Sequence, residues 1–286
     1  MSKTTKTDLR TWLAAARQVL AEVADQPSLE AQAILGEVLG QPRAWIFAHS
    51  ETDLSTEQVE RLNHCLQRRR NGEPLPYVLG HWEFYGLNFF VSPAVLIPRP
   101  ETELLVDQAR VWANSHPAAR FAVDVGTGSG CIAAALASWC PQLVITAIDR
   151  SAHALALAGQ NLQRLGQSQR VSLLQSDLIS CVRGPIDLIC ANLPYIPTET
   201  LGDLPVARHE PVLALDGGPD GLRLIERLCA QAVSRVAPVS RILLEIEFSQ
   251  GGSAPALVRR YFPTAKIQTL QDLSGLPRLV IVDIQK

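Results

Sequence analysis

This 286-residue chain has little that would tie it to a metal, a membrane or a polyanion. Its six cysteines, at 65, 131, 140, 181, 190 and 229, form no CxxC pair, so they read as reduced core residues, neither a disulfide framework nor a metal cluster. The six histidines supply no HxxxH or HxH set, and no metal is expected. No charge of one sign dominates: 26 Lys plus Arg stand against 28 Asp plus Glu, for a net charge of -2, and no global field draws nucleic acid or anionic lipid. The one basic run, Arg68-Arg69-Arg70, reads as a solvated helix end. Long apolar runs are missing as well. The longest, around Ile132 to Leu136, is far short of the roughly 20 residues that a membrane span needs. The opening MSKTTKTDLR is polar with no apolar core behind it, so no secretory signal and a cytoplasmic location are expected. A GxxxxGK[ST] run is also missing, which excludes a P-loop for ATP.

What is present is 47% hydrophobic residues, enough for one full-sized α/β domain and a smaller companion. Residues 8 to 70 carry helical spacing: Leu9, Trp12, Leu13, Ala16 and Leu20, then Leu29, Ala33, Ile34 and Leu39 behind a candidate cap at Ser28, then a third helix from Ser55 to Arg70. Asn71-Gly72 and prolines 74 and 76 break that pattern. Residues 77 to 97 turn aromatic and β-like, with a hairpin marked near Gly86. The predicted organisation is a helical domain over 1–72, a β-hairpin connector over 73–97 and a larger domain over 98–286.

In the larger domain strands alternate with helices. Strands are predicted at 121–125, 143–148, 171–174, 186–191, 242–246, 267–270 and 279–284, and helices at 101–115, 131–138, 152–164, 221–236 and 254–261. Short buried strands between amphipathic helices imply an α/β fold, a mostly parallel sheet covered on both faces, with chemistry at the carboxyl ends of its strands.

Three of those ends carry signals. The strand FAVDV runs into Gly126-Thr127-Gly128-Ser129-Gly130 and a helix, where close glycines permit a sharp turn and let a ligand approach backbone N–H groups. The next strand ends in Asp149, placed to accept both hydroxyls of a ribose. The third is followed by Ser176-Asp177-Leu178, an acid for an adenine amino group beside an apolar residue for its ring. Because the glycines are spaced GxGxG and not GxGxxG, the set favours S-adenosylmethionine over NAD.

The fourth strand opens into Asn192-Leu193-Pro194-Tyr195, where proline forces the chain out of the sheet beside the pocket. The Asn192 carboxamide oxygen and the Leu193 carbonyl are two acceptors for one NH2 group, and Tyr195 can pack on a flat substrate and exclude water. Methyl transfer from a sulfonium needs orientation and dryness more than a strong base. Residue chemistry alone leaves adenine N6 and an amide nitrogen as alternative targets, with a non-catalytic scaffold as a third reading.

The sequence resembles the protein-(glutamine-N5) methyltransferases of the HemK/PrmC type. The likeness rests on Pro76-Tyr77-Val78-Leu79-Gly80, Glu83-Phe84-Tyr85-Gly86, LIPRPETE from Leu96, DVGTGSG from Asp124, NLPYIP from Asn192 and HEPVLALDGGPDGL from His209. It implies a Rossmann-like class I S-adenosylmethionine-dependent methyltransferase with a small all-helical N-terminal domain. The implied substrate is the glutamine of the Gly-Gly-Gln motif in peptide chain release factors, which the helical domain helps to hold, with no direct nucleic-acid or membrane partner. Nothing in the sequence fixes an oligomeric state, and a monomer is the default. The resemblance assigns Gly126 to Gly130, Asp149, Leu178 and Asn192 to the cofactor and Asn192 to Tyr195 to the substrate. Two departures stand out: Leu193 replaces the first proline of the usual Asn-Pro-Pro-Tyr, and Glu247 stands where such chains more often have glycine.

Overall fold

A computed structural model describes residues 7–285, in two compact units that meet in sequence at His81 and Trp82. The first is helical: α1 (Leu9–Leu20), α2 (Pro27–Leu39), α3 (Arg43–Ala48), α4 (Thr56–Arg70) and α5 (Leu75–Leu79). Its core gathers Leu9, Trp12, Leu20, Ile34, Leu35, Ile46, Leu62 and Val78.

Three local expectations change here. Ser28 is not the cap of α2, because Pro27 takes the first helical turn, where its missing N–H costs nothing, and Gln26 becomes the N-cap. Ser55 does cap α4, through a capping box with Gln58. Residues 75–79 are helical despite their prolines, since Pro76 sits in the first turn, and Val78 packs into the helical core, so this unit runs past residue 72. Nor is Arg68-Arg69-Arg70 a uniformly solvated end. Arg68 donates to Glu73 at 2.8 Å and to the Tyr77 carbonyl at 2.9 Å, and Arg69 donates to Glu30 at 2.7 Å and the Val23 carbonyl at 2.8 Å.

From its first residue, Trp82, the second unit forms most of a hairpin, β1 (His81–Phe84) and β2 (Leu87–Phe90), whose Phe84 and Phe89 are buried in its core. Then follow α6 (Glu103–Ser115), β3 (Phe121–Val125), α7 (Cys131–Trp139), β4 (Val144–Asp149), α8 (Ala152–Arg164), β5 (Val171–Gln175), β6 (Ile186–Ala191), β7 (Ile196–Pro197), α9 (Thr198–Leu201), β8 (Asp216–Gly218), α10 (Arg223–Ala232), β9 (Val236–Glu245), α11 (Ser253–Tyr261), β10 (Lys266–Gln271) and β11 (Pro277–Gln285). The expected helix over 221–236 stops at Ala232, and β9 begins at Val236, because the apolar run between them fits either period.

Seven strands form one sheet in the order β10-β11-β9-β6-β3-β4-β5. Neighbours from β9 to β5 are parallel, and β11 runs antiparallel to both β9 and β10. Side chains alternate between faces as a pleat requires: Ala122, Leu188, Cys190 and Leu243 enter one core with α6 and α7, while Val123, Ile189, Ile242 and Leu244 enter the other with α10 and α11. The chain runs outward from β3 through β4 to β5, then returns to place β6 on the other side of β3. That reversal opens a crevice at the carboxyl ends of β3 and β6.

Candidate active site

A cleft of about 1110 Å³, solvent at its mouth included, lies over those strand ends. It brings together Gly126 to Ser129, Asp149, Asp177, Leu178 and Asn192 to Pro194 from the sequence-predicted set. Gly130 and Tyr195 adjoin these lining residues in the chain but are not among them.

The glycine turn is held from below. Gly126 N–H and Thr127 N–H both donate to the Ile148 carbonyl at 2.8 Å. Asp124 is fully buried beneath them, and its Oδ2 accepts from the Thr127 hydroxyl at 2.6 Å and from Ala133 N–H at 3.1 Å. Its Oδ1 has no partner, and burial pushes the carboxyl up to about 7 against those two hydrogen bonds. Gly130, at φ +82, lets α8 approach: a methyl there would stand 3.2 Å from the Ala158 side chain. Asn161 of α8, which sequence reasoning missed, donates to the Ser129 carbonyl at 2.9 Å and exchanges hydrogen bonds with both backbone groups of Phe90.

Asp149 accepts from Gly128 N–H at 2.9 Å on one oxygen and from Ser151 N–H at 2.8 Å on the other. A carboxylate has about four acceptor positions, so one per oxygen is left for a pair of hydroxyls. Leu178 is buried with φ +53, in the lining of the cleft. Asp177 also lines it, but its Oδ2 is engaged by Arg227 at 2.5 Å. A glycine turn with Gly128 clear of neighbours, a diol-sized carboxylate and an apolar wall fit a nucleoside carrying a short polar tail.

At the other end, Asn192 follows β6 and donates from Nδ2 to the Thr102 hydroxyl oxygen at 3.0 Å. Leu193 is 3% exposed, and its side chain would meet a methyl on Gly126 at 3.2 Å, so the two turns touch. Tyr195 is half-buried, and burial pushes its hydroxyl up to about 12. Its carbonyl accepts from Gln250 Nε2 at 3.1 Å. Glu247, the departure after β9, explains that contact: with Gln250 it forms a capping box on the turn Phe248–Gly251, which fixes the Gln250 side chain.

Two more segments clamp this loop. β7 pairs with β8, and a methyl on Gly217 would stand 2.7 Å from the Pro194 carbonyl oxygen. Glu210, 5% exposed, accepts from Ile97 N–H at 3.1 Å and pairs with Arg99, joining the PRPETE segment to HEPVLALDGG. Arg99, Thr102, Glu210, Glu245 and Gln250 were not singled out by sequence reasoning as site residues. Arg99, Thr102 and Glu210 lie inside the quoted segments, and Glu245 and Gln250 flank Glu247, but each acts on a partner far away in the chain.

Known proteins resemble this chain in both of its units. Residues 11–80 match the family model of the PrmC N-terminal domain, and residues 101–203 that of the methyltransferase small domain. A release factor glutamine methyltransferase of Moorella thermoacetica is 40% identical over 267 residues, covering 92% of this chain and 94% of that protein. One from Bordetella pertussis is 40% identical over 259 residues, covering 88% and 93%. Among solved structures, a methyltransferase from Pyrococcus furiosus superposes with a TM-score of 0.52 at 13% identity, covering 81% of this chain and 100% of that one. The hMettl16 catalytic domain, solved with a 3'UTR hairpin, superposes at 0.57 and 12% identity, covering 82% and 86%. At such identities these two share the fold alone.

Proposed function

Because this chain belongs to the release factor glutamine methyltransferase family, we propose that its cleft methylates the side-chain amide nitrogen of the glutamine in the Gly-Gly-Gln motif of peptide chain release factors, with S-adenosylmethionine as donor. The observation that carries the site assignment is the tether of Asn192 Nδ2 to Thr102, which leaves Oδ1 as the end of the carboxamide available to the cleft.

Gly126, Thr127, Gly128, Ser129 and Gly130 would hold the cofactor through their turn, Asp149 through its remaining acceptor positions, and Asp177, Leu178 and Asn192 from the walls. S-adenosylmethionine, when bound, supplies a methyl group already activated by its sulfonium. What remains for the protein is orientation and exclusion of water. Asn192 Oδ1 and the Leu193 carbonyl accept the two amide hydrogens of the substrate and turn its lone pair to the donor. An amide nitrogen is a poor nucleophile because that lone pair is delocalised, and hydrogen bonds that strengthen as the nitrogen becomes pyramidal favour the transition state. The nitrogen takes the methyl group as the carbon–sulfur bond breaks, and its surplus proton passes to solvent. Tyr195 backs the loop, and the helical unit up to His81 contributes to holding the release factor. Such a substrate places the reaction in the cytoplasm and calls for no membrane or nucleic-acid partner.

The test is to incubate the protein with labelled S-adenosylmethionine and, separately, a release factor, the same factor with its motif Gln changed to Ala, and DNA. Label is expected in the intact factor alone. Label confined to DNA would overturn the protein substrate in favour of a base amino group.

A further inference from the structure

One side chain ties the glycine turn to a stretch of chain outside the strands and helices that carry it. Asn161 is fully buried on α8. Its Nδ2 donates to the Ser129 carbonyl at 2.9 Å and to the Phe90 carbonyl at 3.0 Å, and its Oδ1 accepts from Phe90 N–H at 2.7 Å. A carboxamide has two N–H donors and one acceptor oxygen. Both hydrogens are committed to carbonyls and the oxygen to an N–H, so turning the group over would set like against like at all three contacts.

The same face of α8 brings the turn within reach. Ala158, three residues before Asn161, packs against Gly130, where a methyl would stand 3.2 Å from its side chain, and Ala154 lines the cleft. Small side chains let the turn settle on the helix, and Asn161 satisfies the carbonyl that this approach buries. On its other side Asn161 pairs with Phe90 at the end of β2 as a neighbouring strand would. Arg164 adds to that grip, donating to the Asn88 carbonyl with its guanidinium 4.5 Å from the centre of the Phe90 ring. The chain that leaves β2 at Phe90 supplies Ala94, Val95 and Leu96 to the cleft lining. One carboxamide therefore joins two backbone segments that both shape the cleft.

We propose that Asn161 is a positioning residue for the methyl donor: by holding the Ser129 carbonyl to the backbone of Phe90, it sets the spacing between the glycine turn and residues 94–96. The proposal rests on the reading of the cleft as the S-adenosylmethionine site. Asn161 does not itself line that cleft, so its effect on the donor passes through the turn. Donor hydrogens are what the position requires. An ionised carboxylate of the same shape would face two carbonyl oxygens with lone pairs only, whereas a protonated one would recover a single donor.

The test compares Asn161→Leu, Asn161→Asp and Asp149→Ala with the parent. Binding of S-adenosylmethionine to the full chain is titrated by calorimetry, at about pH 5.5 and about pH 9, where circular dichroism shows each variant folded. Asn161→Leu keeps most of the volume and loses all three hydrogen bonds, and its Kd should rise about tenfold or more at both pH values. Asn161→Asp should be about tenfold weaker than the parent at the higher pH. At the lower pH its deficit relative to the parent should shrink at least about threefold, as the buried carboxyl takes up a proton and donates again. In both variants kcat at saturating donor and KM for the release factor should stay within about twofold of the parent. The aspartate variant carries the test if the leucine variant folds poorly, because loss of packing alone would not follow the protonation of one carboxyl. Parental Kd in the position 161 variants, a deficit in Asn161→Asp that is the same at both pH values, or a fall in kcat at saturating donor with Kd unchanged would overturn the proposal. Asp149→Ala separates the two levels. If it binds S-adenosylmethionine as the parent does, the reading of the cleft fails. If it binds weakly while Asn161→Leu binds normally, only the positioning role fails.

Discussion

Gly221 is the position where a single added methyl group should do most damage to the reacting loop without touching any residue that lines the cleft. A methyl on its Cα would stand 2.1 Å from the Tyr195 carbonyl oxygen and 2.5 Å from Gln250 Nε2, at a backbone φ of +73. Carbon–oxygen contacts sit at about 3.3 Å or more, so the Tyr195 peptide must retreat by about 1 Å. Three costs add. The left-handed backbone disfavours alanine by about 1–2 kcal/mol, the Gln250 to Tyr195 hydrogen bond is worth about 1 kcal/mol, and forcing a methyl into a packed site costs about 1–3 kcal/mol. A middle value of about 4 kcal/mol corresponds to a fall in Tm of about 8–16 °C for a unit of this size. Activity should fall further, since a displacement of about 1 Å near reacting groups can cost about 100-fold in rate. Gly221→Ala is measured by thermal unfolding followed by circular dichroism and by methyl transfer to release factor, with Gly202→Ala as control, where φ is -63 and no neighbour lies within 4 Å. If Gly221→Ala melts within about 2 °C of the parent and turns over normally, the clamp on Tyr195 is not what holds the loop.

Two further outcomes follow from buried groups. Asp124 has its carboxyl raised by burial from 3.8 to about 7, so the folded state holds its proton where the unfolded chain has lost it. Its contribution to stability is full below about pH 4 and is lost as pH rises through 7, on the order of a few kcal/mol, and Glu245 acts in the same direction. Asp124→Asn should therefore flatten the loss of stability between pH 5 and 8 in urea titrations; a pH dependence as steep as the parent's would show that the aspartate is not its source. Leu193→Ala removes a buried side chain that rests against Gly126, and should lower stability by about 2–5 kcal/mol, read as a shift of the urea midpoint, whereas a surface-like change below about 0.5 kcal/mol would mean that the leucine merely fills space.

The sheet and the glycine turn were legible because each is a local pattern: buried runs between amphipathic helices, and glycines directly after a strand. Asp149 and Asn192, which line the cleft, stand out in the sequence for the same reason, as polar residues at strand ends. The helix at 75–79 was missed because prolines 74 and 76 look like breakers until the first turn is known to begin there. The groups that support the site were hidden for a different reason. Thr102 meets Asn192 across 90 residues of chain and Glu210 meets Ile97 across 113, and such pairs appear only once the chain is folded. Asp177 shows the opposite limit: it does lie beside the cleft, yet its ion pair with Arg227 of α10 was unreadable from a motif.

The touch of Leu193 on Gly126 has a consequence for how the two ligands sense each other. With a buried side chain filling the gap between the turns, neither can shift without pressing on the other. Occupancy of one half of the cleft then becomes a thermodynamic variable of the other half, and the coupling must be equal in both directions. The side chain at position 193 is the point of contact through which that linkage would pass.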